Sequence, residues 1–98
     1  MTLTKTEENG VLHIALEGRL DTNTAPQLEA ELKHSLSGIT RLDLDFSGLE
    51  YLSSAGLRVL LAAQKTMNGQ GEMVVRNVSE TIMEVFEITG FVDILSIE

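Results

Sequence analysis

Hydrophobic positions change period several times along the chain, and the sharpest change falls within Arg41 to Lys65, RLDLDFSGLEYLSSAGLRVLLAAQK. Leu42, Leu44 and Phe46 alternate with Asp43 and Asp45, the period of two of a strand with one buried face. From Gly56 the spacing becomes helical. Leu57, Leu60, Leu61, Ala63 and Met67 share one arc, Arg58, Lys65 and Thr66 lie opposite, and Gln64 is a polar exception inside the arc. Ser53 and Ser54 stand at the join, so two hydroxyls mark a helix start.

The flanking segments carry their own periods. Leu3 to Glu8 reads as an edge strand, and Asn9-Gly10 suits a type I′ hairpin because both central positions need positive φ. Val11 to Leu16 follows as a second strand, with Leu12, Ile14 and Leu16 on one face and Val11, His13 and Ala15 on the other; it is expected to end at Gly18-Arg19-Leu20-Asp21. Thr24 and Gln27 have capping-box spacing, Pro26 fits a first helical turn, and Ala25, Leu28, Leu32 and Leu36 make a buried stripe opposite a Glu29–Lys33 pair. Gly38 suits the C′ position of that helix. Beyond the central stretch come a turn at Gly69-Gln70-Gly71, a short strand over Glu72 to Arg76, and a helix capped by Ser79 that runs to about Thr89. Ile82, Val85 and Phe86 face its core side, Gly90 stops it, and Phe91 to Ile97 is expected to be a last strand or a docked tail.

The element order β-β-α-β-α-β-α-β predicts one α/β domain over residues 1–98, with a mixed, mostly parallel sheet. Right-handed crossovers that advance in one direction put the helices mainly on one face, leaving Asp43, Asp45 and His13 on a second, at least partly wet face. Parallel strands also gather loops. Those after Leu16, Phe46 and Val75 should emerge at one sheet edge, with Asp21, Thr22 and Asn23 beside Ser53 and Ser54 and with Asn77 on the far flank.

Composition then narrows the chemistry. A chain of 98 residues supports one core; it has no run of about 20 apolar residues and no signal-like N-terminus, so no membrane insertion and a cytoplasmic location are expected. No cysteine means no thiolate catalysis and no cysteine-rich zinc site. A net charge of -8 disfavours nucleic acid and permits a partner with a basic patch. His13 and His34 fall on a strand and on an exposed helix face, so neither serves a Ser-His-Asp triad, and no phosphate-loop pattern occurs. Asp43 and Asp45 lack a third oxygen ligand at a characteristic spacing, so no metal is expected, nor any cofactor. Either Ser53 or Ser54 could simply cap the helix, worth about 1 kcal/mol. The other reading is a serine that is acted upon, with Ala55 and Gly56 keeping its surroundings open.

The run LDFSGLEYLSSAGLRVLLAAQK resembles the signature of STAS domains, specifically of bacterial anti-sigma factor antagonists, with a strand leading into a helix start of the type [Asp/Ser]-Ser-x-Gly-Leu. Gly18-Arg19-Leu20-Asp21, Gly71-Glu72-Met73-Val74-Val75 and the segment Phe86 to Phe91 match further family motifs, so the resemblance covers nearly the whole chain. It implies a non-enzymatic partner switch. The unphosphorylated protein binds an anti-sigma factor that is usually a serine kinase, phosphorylation separates the two, and a serine phosphatase resets the cycle. By motif position the acceptor is Ser54, with Ser53, at a position often held by aspartate, as the alternative; Ala55 stands where serine is frequent. Asp21, Thr22, Asn23, Ser53, Ser54, Ala55, Gly56 and Arg58 are the expected partner-binding residues, on a monomer or weak dimer. Two alternatives share the fold: a STAS subunit of a transport or lipid-handling complex, and a small α/β enzyme or nucleotide binder.

Overall fold

The computed structural model describes all residues from Met1 to Glu98. Strand β1 (Thr2–Glu8) pairs antiparallel with β2 (Val11–Leu20) through a hairpin whose Asn9 and Gly10 have φ of 53° and 80°, as the turn type demands. Then follow α1 (Ala25–Ser35), β3 (Arg41–Leu52), α2 (Ser54–Asn68), β4 (Glu72–Arg76), α3 (Glu80–Thr89), a 3-10 turn at Phe91–Asp93 and a two-residue β5 (Ser96–Ile97). The sheet order is β1-β2-β3-β4-β5, parallel from β2 onward. This is the mixed, mostly parallel α/β architecture expected from the element order.

The core lies between the helices and one sheet face. Leu12, Ile14 and Leu16 of β2, Leu42, Leu44 and Phe46 of β3, and Met73 and Val75 of β4 join Leu28 and Leu32 of α1, Leu60 and Met67 of α2, and Ile82 and Phe86 of α3 in one buried cluster. Gln64 is buried as the exception within the α2 arc, and its Nε2 donates to Asn68 Oδ1 at 2.8 Å. No helix is long and apolar enough to cross a membrane.

Several boundaries differ from the sequence reading. Strand β2 does not stop near Gly18. That glycine has φ of 104° and sits at a register shift where β3 carries the extra residue, Glu50, and pairing continues to Leu20. The Thr24–Gln27 capping box does not form. The Thr24 hydroxyl instead donates to Arg19 O at 2.7 Å and accepts from the Asp21 N–H at 2.8 Å, while Gln27 Nε2 reaches Met1 O at 3.2 Å. Gly38 is left-handed, but two residues past the Leu36 C-cap, inside a turn closed by the Ile39 N–H on Leu36 O. After Gly90, left-handed as expected, the tail turns through the 3-10 segment so that Phe91 stacks 6.4 Å from Phe86; only two of its residues are strand.

The helix-free face is also drier than expected at one point. Asp43 is only 3% exposed, with Arg76 Nε at 2.9 Å and His13 Nδ1 at 3.4 Å from its Oδ2. Neither contact is aligned as a hydrogen bond, so this oxygen is charge-paired without a directed donor. Asp45 is engaged separately: its Oδ1 accepts from Ser47 N–H and Asn77 Nδ2, which hold its carboxyl below the ordinary range against the opposing effect of burial.

The turn that returns the chain from α2 to β4 is sterically tight. A Cβ on Gly71 would collide with the backbone carbonyl of Thr40, whereas one on Gly69 would meet only Thr66 O at an ordinary 3.5 Å. Gly71→Ala is expected to cost at least about 2 kcal/mol and Gly69→Ala under about 0.5 kcal/mol, read from the midpoints of urea unfolding; equal midpoints would contradict this account of the turn.

Candidate functional site

The site is assembled by backbone pairing between β2 and β3. The ladder runs to Leu20 opposite Leu52, and the next amide, Ser53 N–H, donates to Leu20 O at 2.9 Å. Two chain segments therefore leave the sheet side by side: the Asp21–Thr24 loop into α1, and Ser53 into α2. Gly56 seats the helix. A Cβ there would lie 2.7 Å from Leu20 Cγ and from Leu52 Cδ1, so only glycine lets the first turn of α2 approach both strand ends. This corrects the expectation that Gly56 keeps the helix start open to a partner, because Gly56 is buried and faces inward.

The two serines are placed differently. Ser53 is the N-cap residue, with extended backbone at φ -99° and ψ 175°, and its carbonyl accepts the first helical bond from Leu57 N–H at 3.0 Å. Its hydroxyl makes no capping hydrogen bond and is buried without a partner. Ser54 is the first helical residue and is exposed. A helix leaves its first N–H groups without intrahelical acceptors, and with no side-chain cap those of Ser54, Ala55 and Gly56 are not taken by the helix. An anion on Ser54 would thus meet free donors and the positive end of the helix dipole.

The neighbouring loop is rigid for a local reason. Asp21 Oδ1 accepts from Asn23 N–H at 3.0 Å and Thr24 N–H at 3.1 Å, and lies 3.1 Å from the Thr24 hydroxyl. Burial works to raise the Asp21 carboxyl, but the hydrogen bonds from Thr24 and Asn23, with Arg19 nearby, outweigh it and hold the carboxyl below its ordinary range. Thr22 and Asn23 are exposed. Thr22 faces Ala55, Arg58 and Val59 of α2 and Ala25, Pro26 and Glu29 across a cleft of about 180 Å³. Thr22 of the expected loop is therefore beside the first turn of α2, next to Ala55. Asn77 is not close by: it lies beside Asp45, and β3 runs seven residues further before Ser53, roughly 20 Å.

Two residues at this edge escaped the sequence reading. Arg19 Cζ lies 4.1 Å above the Tyr51 ring, and its Nε is 3.6 Å from Asp21 Oδ2. They meet only because an extra residue in β3, Glu50, shifts the register to place Arg19 opposite Tyr51, and nothing in either local segment signals that shift. No histidine or lysine joins the cluster, and the arrangement presents a hydroxyl without a base to activate it.

Comparison with known proteins agrees with this geometry. The family model described as "Mlab, STAS domain" matches residues 2–96. BtrV of Bordetella bronchiseptica, named as an anti-sigma factor antagonist, is 42% identical over 99 residues, 99% of this chain and 85% of its own. The anti-sigma-B factor antagonist of Listeria monocytogenes is 32% identical over 97 residues, 96% of this chain and 84% of its own. Structures of the Bacillus anti-sigma factor antagonist SpoIIAA are similar in fold. The unphosphorylated form has a TM-score of 0.78 at 19% identity over 99% of this chain and 87% of that one; the phosphorylated form has 0.78 at 20% over 99% and 91%.

Two outcomes are expected from the capping and loop geometry. Ser79 accepts from Ile82 N–H and caps α3, so Ser79→Ala should cost about 1 kcal/mol; Ser53→Ala removes only an unpartnered hydroxyl and should leave the urea midpoint unchanged or raised. A comparable loss from both would mean that Ser53 caps after all. For Asp21, the folded carboxyl titrates below the unfolded one, so its contribution is present above the ordinary carboxylate range and is lost as pH falls through the folded value. Asp21→Asn should flatten this acid limb of a stability–pH profile, and an unaltered profile would contradict the hydrogen-bonding account.

Proposed function

The chain belongs to the STAS domain family, and we propose on that premise that it is an anti-sigma factor antagonist switched by phosphorylation of Ser54. It acts as a binding protein rather than an enzyme. The partner is an anti-sigma factor, and occupying that factor frees a sigma factor for transcription. The observation that carries the choice of acceptor is the contrast between the exposed Ser54 at the first position of α2 and the buried Ser53 hydroxyl behind it. The partner docks over the start of α2 and the Asp21–Asn23 loop, where Thr22, Ala55 and Arg58 border one cleft.

The anti-sigma factor doubles as a serine kinase. In the transfer, the bond from the γ-phosphorus of ATP to its bridging oxygen breaks and ADP departs with the electron pair. A bond forms between that phosphorus and Ser54 Oγ, and the hydroxyl proton passes to a base on the kinase. A serine phosphatase later hydrolyses the ester, water supplying the oxygen that leaves with inorganic phosphate. The phosphate carries close to two negative charges. The free amides and dipole of α2 accommodate them within this chain, so the fold persists. Within a closed interface the same charges are desolvated with no matching cation on the binding partner, and the complex separates.

The reading as a subunit of a transport or lipid-handling complex shares this fold but leaves the exposed Ser54 without a task. It would show itself by co-purification with membrane ATPase subunits.

Incubation with the kinase and ATP should place phosphate on Ser54, read by mass-spectrometric site mapping, and Ser54→Ala should bind the partner yet take no phosphate. Ser54→Asp should weaken partner binding by roughly a hundredfold while its melting temperature stays near that of the parent protein. Phosphate on the Ser54→Ala variant, or unfolding of the Ser54→Asp variant, would contradict the proposal.

A further inference from the structure

Arg58 stands out in the ion pairing of the chain. Five of the seven Lys and Arg side chains have carboxylate partners: Lys5 with Glu31, Arg19 with Asp21, Lys33 with Glu29, Arg41 with Glu72 and Arg76 with Asp43. With fifteen acidic residues in the chain, a cation left without a partner is the exception. The two exceptions, Arg58 and Lys65, both lie on α2, and Arg58 is one helical turn beyond Ser54.

Helix geometry aims Arg58 at the acceptor. Residues four apart share a face with Cβ atoms about 5–6 Å apart. Side chains on a helix also slope toward its N-terminus, so a long one covers the turn before its own Cα. Arg58 also borders the cleft between the starts of α1 and α2, together with Ala55, the residue next to Ser54, and Thr22. The acidic groups facing this region are engaged elsewhere. Glu29, across the cleft, is 3.9 Å from Lys33, and Asp21 is turned into its own loop by Thr24 and Asn23 and paired with Arg19.

We propose that the phosphate on Ser54 captures Arg58 as its counter-ion, and that the switch is an exchange of Arg58 from a carboxylate of the partner to the phosphate. The inference rests on the reading of Ser54 as acceptor. Before phosphorylation, Arg58 is an exposed guanidinium with every donor free, and the partner that fits it presents an acidic side chain over the first turn of α2. After phosphorylation an anion is fixed on the same helix, N-terminal to the cation, which is the favourable orientation for an i, i+4 pair. A guanidinium forks onto carboxylate and phosphate alike, but the phosphate carries close to two negative charges and is held on the same helix, so it outcompetes a carboxylate across an interface. One covalent event then both adds repulsive charge and withdraws an attractive one.

The test uses the full chain carrying phosphoserine at position 54 by genetic encoding, so it does not depend on any kinase. In a ³¹P NMR titration the second ionisation of the phosphate should fall about 0.4 pH units lower with Arg58 present than in Arg58→Gln. Arg58→Lys should lie between, and Lys65→Gln, which removes the other unpaired cation of α2, should match the parent. In the unphosphorylated protein, Arg58→Gln should weaken binding of the anti-sigma factor about fivefold. Equal titration of the parent and Arg58→Gln, an equal shift from Lys65→Gln, or an unchanged affinity for the partner would each overturn the exchange. Failure of the Ser54 reading looks different: no kinase would modify Ser54 in the parent protein, while the titration would still decide whether Arg58 captures the phosphate.

Discussion

Backbone pairing between β2 and β3 does not end with the ladder at Leu20 and Leu52 but extends to the Ser53 amide, which donates to Leu20 O at 2.9 Å. Everything at the start of α2 depends on that continuity. It sets the Asp21 loop beside the helix start and fixes where the helix begins. It also demands glycine at position 56, where the first turn must pass close to Leu20 and Leu52. Because the constraint is made of main-chain hydrogen bonds and buried leucines, it is independent of what sits on the Ser54 side chain. The surface at the start of α2 can therefore change its charge without changing its shape.

The polar groups near this edge are handled in two ways. The Asp21 carboxylate is enclosed by donors from its own loop and braced by Arg19, which also lies over Tyr51, so the loop is held firmly at low cost. The Ser53 hydroxyl is buried with no partner and contributes nothing to the helix that it begins. An N-cap serine that does not cap leaves the first amides of α2 available, which suits the proposed phosphate on Ser54. Asp43, on the other sheet face, is a separate expense: a buried carboxylate with Arg76 and His13 close by and no aligned donor on Oδ2. Its position over the middle of the sheet keeps it away from the start of α2.

Elements whose cause is local could be read from the sequence. The Asn9-Gly10 hairpin, the α1 stripe, the Ser79 cap and the Gly90 stop each follow from residue types within a few positions, and all are present. The change of period at Ser53 and Ser54 marked the β3–α2 junction for the same reason. What failed depended on partners distant in sequence. Gly18 opens the stretch where β2 is expected to end, yet β3 takes up an extra residue beside it and pairing continues to Leu20. Thr24 is the local exception: it has the spacing of a capping box, but Arg19 O and Asp21 N–H, close by in sequence, claim its hydroxyl. Gly56 reads as open space, and only the convergence of two strands shows that it is filled. The burial of Asp43 and the stacking of Arg19 on Tyr51 likewise need neighbouring strands in register, which no single segment encodes.

The central claim is that phosphate on Ser54 alters an interface and leaves the fold alone. Backbone amide NMR of the protein phosphorylated at Ser54, recorded alone and again with the anti-sigma factor, tests it most directly. The account predicts shifts confined to the first turn of α2 and the Asp21–Thr24 loop, with no further change when the partner is added. Shifts spread through β1, β4 and α3, or line broadening across the α2 start on adding the partner, would contradict it.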